Sequence, residues 1–185
     1  MPVAEKPMTI KSLFSFIRLL LLISSTFGAK TPATPAEIQS TAALARLKSL
    51  AGEWQSVGPK GERAKLKYEV ISGGTAVMER FSSDALPPNS GEMITVYYVD
   101  RGELVLTHYC IAKNQPHLRA TLYDAKTGEL DFEFVSGDNM PTGDEGHMHS
   151  AKMRFVDENH LSTEWQYVEG RSPKFKEVSQ FTRVN

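Results

Sequence analysis

His108, His147 and His149 are the side chains whose type and spacing could do chemistry. His147 and His149 are separated by one residue, so a strand running through them turns both imidazoles to one face. An inward His-x-His pair with a third histidine across a cavity is the kind of set that could hold zinc, copper or a haem iron. The same three rings could instead be hydrogen-bonded inside a partly polar interior. Both readings stay open on the sequence. Other machinery is missing: there is no Ser-His-Asp order, no pair of carboxylates expected to face inward, no H-E-x-x-H helix and no glycine-rich phosphate loop. A hydrolase or a glycosidase therefore has no visible catalytic group, and nucleotide-binding folds are excluded.

The elements that would position these histidines are hairpins. Met93 to Ala112 reads as two strands rich in β-branched and aromatic residues, joined at Asp100-Arg101-Gly102. With Val99 opposite Glu103, the inward face carries Ile94, Val96, Tyr98, Leu104, Leu106, His108 and Cys110, and Thr95 and Thr107 look outward. Before it, Arg63 to Ile71 turns at Ser72-Gly73-Gly74 into Thr75 to Phe81. The expected register sets Lys67 opposite Glu79 rather than Arg80, because like charges across a ladder repel. After it, His117 to Tyr123 pairs with Glu129 to Val135 and places Phe132 inside. His147 to Val156 pairs with His160 to Val168, matching Ala151 with Trp165 and His149 with Tyr167 while Lys152 meets Glu164. Phe175 to Val184 forms the last strand.

In front of the strands, residues 37–50 place Ile38, Ala42, Ala45, Leu44, Leu47 and Leu50 at helical spacing without an internal Gly or Pro. Residues 29–36 (AKTPATPA) read as a flexible leader. Residues 1–28 read as a signal peptide, with Lys6, Lys11 and Arg18 ahead of an apolar run from Leu19 and cleavage near Gly28 or Ala29. That run is too short to cross a bilayer, so secretion or export to a periplasm is the expected destination and no membrane span remains. A formal net charge of -1, from 21 basic and 22 acidic residues, gives no surface for nucleic acid. The single cysteine, Cys110, allows no internal disulfide.

These readings together give an all-β chain of about ten antiparallel strands closed into an up-and-down barrel behind one short helix. The segment Leu47-x-x-Leu50-x-Gly52-x-Trp54 at the start of such a run resembles the lipocalin and fatty-acid-binding (calycin) superfamily, and more narrowly the lipocalin-like domains of exported bacterial proteins. The resemblance implies that Trp54 closes the barrel base against Arg183 on the last strand. It also implies an interior that binds a small, largely apolar molecule. Tyr68, Tyr98, His108, Phe132, His149, Trp165 and Tyr167 are the expected lining, since aromatic rings with polar edges suit such a pocket. The alternatives are the metal or haem site through His108, His147 and His149, with an isomerase or redox activity built on that centre, and a filled barrel that acts as a structural or interaction module without a ligand.

Overall fold

The computed structural model describes residues 33–184. The signal peptide expected over residues 1–28 lies outside the described residues. A helix, α1, spans Pro35–Lys48. It starts two residues before the expected Glu37 because Thr34 caps it: the Thr34 hydroxyl accepts the Glu37 N–H at 3.2 Å, and the Glu37 carboxylate accepts the Thr34 N–H at 2.7 Å. Pro35 occupies a position where its missing N–H is harmless. Ala43, Leu44 and Leu47 form the buried stripe of this helix and join the core.

Ten strands follow, β1 (Gly52–Val57), β2 (Arg63–Ile71), β3 (Ala76–Ser83), β4 (Met93–Asp100), β5 (Glu103–Tyr109), β6 (Gln115–Asp124), β7 (Glu129–Asp138), β8 (His147–Phe155), β9 (His160–Glu169) and β10 (Ser172–Arg183). Each pairs antiparallel with the next, and β10 returns to β1, so the sheet is a closed barrel as the alternation predicts. Closure removes the exposed edges that an open sheet of this size would leave. The α1 helix is tied to the strands at the end of the barrel that carries the β4–β5 and β6–β7 turns. There Gln39 donates to the Tyr123 carbonyl at 2.6 Å and the Leu104 N–H donates to Ser40 Oγ at 3.1 Å. Among the described residues no helix is long and apolar enough to cross a membrane.

Closure is uneven. β9 and β10 pair along most of their length, but β1 meets β10 only at Trp54↔Arg183 and Gln55↔Thr182. Beyond Gln55 the two strands part, leaving a split in the wall.

Two hairpin registers differ from the sequence expectation, each by one residue. In β4–β5, Arg101 and Gly102 both have positive φ, 49° and 86°, which makes a two-residue turn whose twist matches the flanking strands. Asp100 therefore pairs with Glu103 and Thr95 with His108. β4 is flipped as a result: Met93, Thr95 and Tyr97 are buried, and Ile94, Val96 and Tyr98 move to the outer, partly exposed face. In β2–β3, Lys67 pairs with Arg80 and Tyr68 with Glu79. Repulsion between the two cations is relieved by Glu69, which reaches Lys67 at 3.4 Å and Arg80 at 3.5 Å, with Glu92 3.4 Å from Arg80 as well. With the cations managed outside, the Glu79 carboxyl goes inside.

The other two hairpins keep the expected register over part of their length and depart from it at bulges. In β6–β7, Leu118↔Phe134, Arg119↔Glu133 and Ala120↔Phe132 pair as expected, and a bulge between Ala120 and Leu122 shifts the turn end so that Asp124 faces Glu129. In β8–β9 the expected pairs run from Phe155↔Leu161 to Ala151↔Trp165, after which a bulge between Met148 and Ser150 sets Tyr167 across from Met148 rather than His149.

Candidate functional site

The interior polar groups form a connected set built by the β2–β3 and β4–β5 registers. Tyr97 donates its hydroxyl to Glu79 Oε2 at 2.7 Å. Tyr68, the cross-strand partner of Glu79, is buried beside the same carboxyl, but its hydroxyl has no hydrogen-bond partner. Thr95 Oγ1 lies 2.9 Å from His108 Nδ1, and the His108 ring lies 5.0 Å from Trp165. His108 Nε2 is buried and unpaired. An unpaired buried donor or acceptor is destabilising by roughly 1–3 kcal/mol, so such a group is uncommon without a function.

Burial sets the protonation states. It raises the Glu79 carboxyl above its ordinary range. It also raises both tyrosines, helped by the charge of Glu79. Burial lowers His108 to about 4, so its imidazole is neutral at neutral pH.

His108, Glu79, Thr163, Trp165, Met148 and Glu177 line a small cavity, with apolar walls supplied by Leu66, Phe81 and Phe181 among others. Its volume is about 30 Å³, and since one water needs roughly 10–15 Å³, it admits a water or two and nothing larger without rearrangement. A second space shares part of its wall. Where β1 and β10 part, a cleft of about 570 Å³ opens, with Val57, Pro59, Leu86, Phe175 and Val178 among its walls. Cavity and cleft share Phe81, Glu177 and Ser179. Glu177, across β9–β10 from Trp165, is half-buried, and burial raises its carboxyl. Among the described residues it has neither a hydrogen-bond nor an ion-pair partner. Phe175 stacks on Tyr167 at 5.0 Å with the rings 7° from parallel, forming one edge of the cleft.

The residues singled out from the sequence fall in several places. His108 and Trp165 line the cavity, and Tyr68 adjoins it through Glu79. Phe132 is fully buried and packs on Tyr97 at 5.8 Å as core, outside the cavity wall. Tyr98 is on the outer face because of the one-residue slip, and Tyr167 is half-buried against Phe175. The β8 bulge sends Met148, not His149, to the cavity. His147 Nδ1–H donates to the Glu145 carbonyl at 2.7 Å, its Nε2 lies 3.1 Å from His149 Nδ1, and both rings pack on Phe134. Burial, and then the neighbouring His147, lower the His149 pKa. His108, His147 and His149 are not gathered into one group: among the described residues no three His, Cys, Asp or Glu side chains come together as a metal site.

At the opposite end from the β1–β2 turn, the Arg183 guanidinium lies 4.2 Å over the Trp54 ring. It donates to the carbonyls of Ser49 and Ala51 at 2.9 Å and of Glu158 at 3.0 Å, while Trp54 Nε1 donates to the Leu50 carbonyl at 2.8 Å. These bonds fasten the chain leaving α1 to the end of β10.

No family model and no curated protein matches the chain. Among solved structures it is similar to a crystal structure of a protein of unknown function from the DUF3598 family of Nostoc punctiforme, with a TM-score of 0.41 and 9% identity. The match covers 75% of this chain and 49% of that one, so the chain spans about half the length of that neighbour.

Glu79, Thr95, Thr163 and Glu177 are the candidate site residues that sequence reasoning missed, and the two glutamates correct the expectation that no pair of carboxylates would face inward. A signal for Glu177 was present: Glu177, Ser179 and Phe181 alternate with Lys176, Val178 and Gln180, and the buried Phe181 fixes which set faces in. For Glu79 the signal was the turn length alone.

Proposed function

We propose that the chain is an exported, lipocalin-like β-barrel that binds one small, largely apolar molecule. The polar end of the ligand meets His108, Thr163 and Glu177, and its apolar part lies in the cleft between β1 and β10. The observation that carries this reading is His108 Nε2, buried and unpaired on the wall of a cavity that shares Phe81, Glu177 and Ser179 with the cleft between β1 and β10. Cleft volume supports it, because ligand pockets run to roughly 300–1,000 Å³. The weak β1–β10 seam supplies an entrance. The amino-terminal pattern of Lys6, Lys11 and Arg18 before an apolar run supports export.

Native mass spectrometry of the protein isolated from its own source, with titration of the neutral dye Nile red, tests the binding. A bound mass, or one dye per chain that is displaceable and weakened in His108→Ala, is the expected result. No bound mass together with no saturable dye binding would overturn it. Fractionation of cells expressing the full chain tests export, which predicts a mature mass consistent with cleavage near Gly28 or Ala29. Retention of the intact chain in the cytoplasm would overturn that part.

A further inference from the structure

We infer that the ligand carries a cationic amine head, which the Glu177 carboxylate pairs with and His108 Nε2 hydrogen-bonds. This rests on the ligand-binding reading above and adds the chemistry of the head group.

The cavity wall holds two carboxyl groups, Glu79 and Glu177, and no Lys or Arg. Glu79 is already engaged, since Tyr97 donates to it at 2.7 Å. Glu177 is not. The cations nearest to it in sequence have other partners: Lys176, which lines the cleft, pairs with Glu164 at 2.8 Å, and Lys174 with Glu169 at 3.4 Å. A half-buried carboxylate without a partner is electrostatically unfavourable, and a cation arriving with the ligand removes that penalty.

His108 supplies a second unpaired group on the same cavity. Only about 3% exposed, it turns an unpaired Nε2 to the same cavity. In the inferred complex His108 Nδ1–H donates to Thr95 Oγ1, 2.9 Å away. That assignment leaves the Nε2 lone pair facing the cavity as an acceptor. An ammonium offers three N–H donors, enough for Glu177, His108 and Thr163. A carboxylate head in the cavity would meet two carboxyl groups and no cation on its wall, so a fatty acid is disfavoured there. The apolar tail then runs past Phe81 into the cleft beside Phe175 and Val178.

Displacement of Nile red by octylamine, octanol and octanoate, which share one tail, separates the head groups on the full chain at neutral pH. Octylamine is expected to displace at a concentration at least about ten-fold lower than octanoate and clearly lower than octanol. Glu177→Gln should bring octylamine to the level of octanol. Octanoate matching octylamine, or octylamine no better than octanol, overturns the amine head and leaves the ligand-binding reading standing. Displacement by none of the three overturns both.

Discussion

Tyr97 and Tyr68 flank the same buried carboxyl, yet only Tyr97 is in hydrogen-bond geometry with it, its hydroxyl 2.7 Å from Glu79 Oε2. The same chemical change at the two positions should therefore act in opposite directions. Tyr97→Phe leaves Glu79 one donor short and should destabilise the barrel by about 1–3 kcal/mol. Tyr68→Phe removes a hydroxyl that burial has stripped of water without replacement, and should be neutral or stabilising by up to about 1 kcal/mol. Urea unfolding midpoints read both. Equal losses in the two variants would show that Tyr68 also holds the carboxyl.

The two buried titratable groups pull stability in opposite directions with pH. His108 has a folded pKa of about 4 against an ordinary 6.5, so between those values the folded chain binds fewer protons than the unfolded one. Its contribution is full above pH 6.5 and is lost as pH falls toward 4, about 3 kcal/mol over the window. Glu79 runs the other way: its folded pKa is raised, so its contribution is full below the ordinary 4.5 and is lost as pH rises toward the folded value. Glu177 has the sign of Glu79. His108→Gln should flatten the loss on the acid side, and Glu79→Gln the loss above pH 4.5. An acid-side slope in His108→Gln equal to that of the parent would mean that the imidazole is not held neutral.

Arg183 binds three carbonyls and a ring face at once, which a lysine cannot reproduce. Its planar fork reaches Ser49, Ala51 and Glu158 while covering Trp54 at 4.2 Å, whereas an ammonium is a point charge on a flexible stem. Arg183→Lys should therefore cost about 1–3 kcal/mol despite keeping the charge. Trp54→Ala, which empties a buried position in the core, should cost about 3–5 kcal/mol. Thermal melts report both. An Arg183→Lys melt coinciding with the parent would reduce the guanidinium to a simple charge.

The barrel and its helix were legible because alternation and turn residues repeat along the whole chain, and closure follows from the number of strands. Register was legible only where charges and apolar pairs agreed. In β8–β9 the Lys152↔Glu164 pair and Phe155↔Leu161 fixed the alignment until the bulge at His149. In β2–β3 the charge rule misled, because Lys67 and Arg80 share a third partner, Glu69, which a strand-pair argument leaves out. In β4–β5 a three-residue turn was assumed where Arg101 and Gly102 make one of two residues, and a single step exchanged Tyr98 for Tyr97 inside. The missed site residues trace to the same limit. Glu79 and Thr95 went inside with those two flips, and the bulge replaced His149 with Met148.

Phe175 tests whether the split between β1 and β10 is where a ligand lies. It is about 49% exposed and contributes a ring face, stacked on Tyr167, to the cleft wall. Half-exposed, it adds little to folding, so Phe175→Ala should move the unfolding midpoint by no more than about 1 kcal/mol. The loss of apolar wall should nevertheless weaken Nile red binding by about five- to ten-fold, the equivalent of roughly 1 kcal/mol of burial. Val135, about 51% exposed and absent from the cleft wall, serves as the matched control, and Val135→Ala should leave dye affinity within about two-fold. Equal effects in the two variants would place the dye on the general surface, and the entrance between β1 and β10 would then have no role in binding.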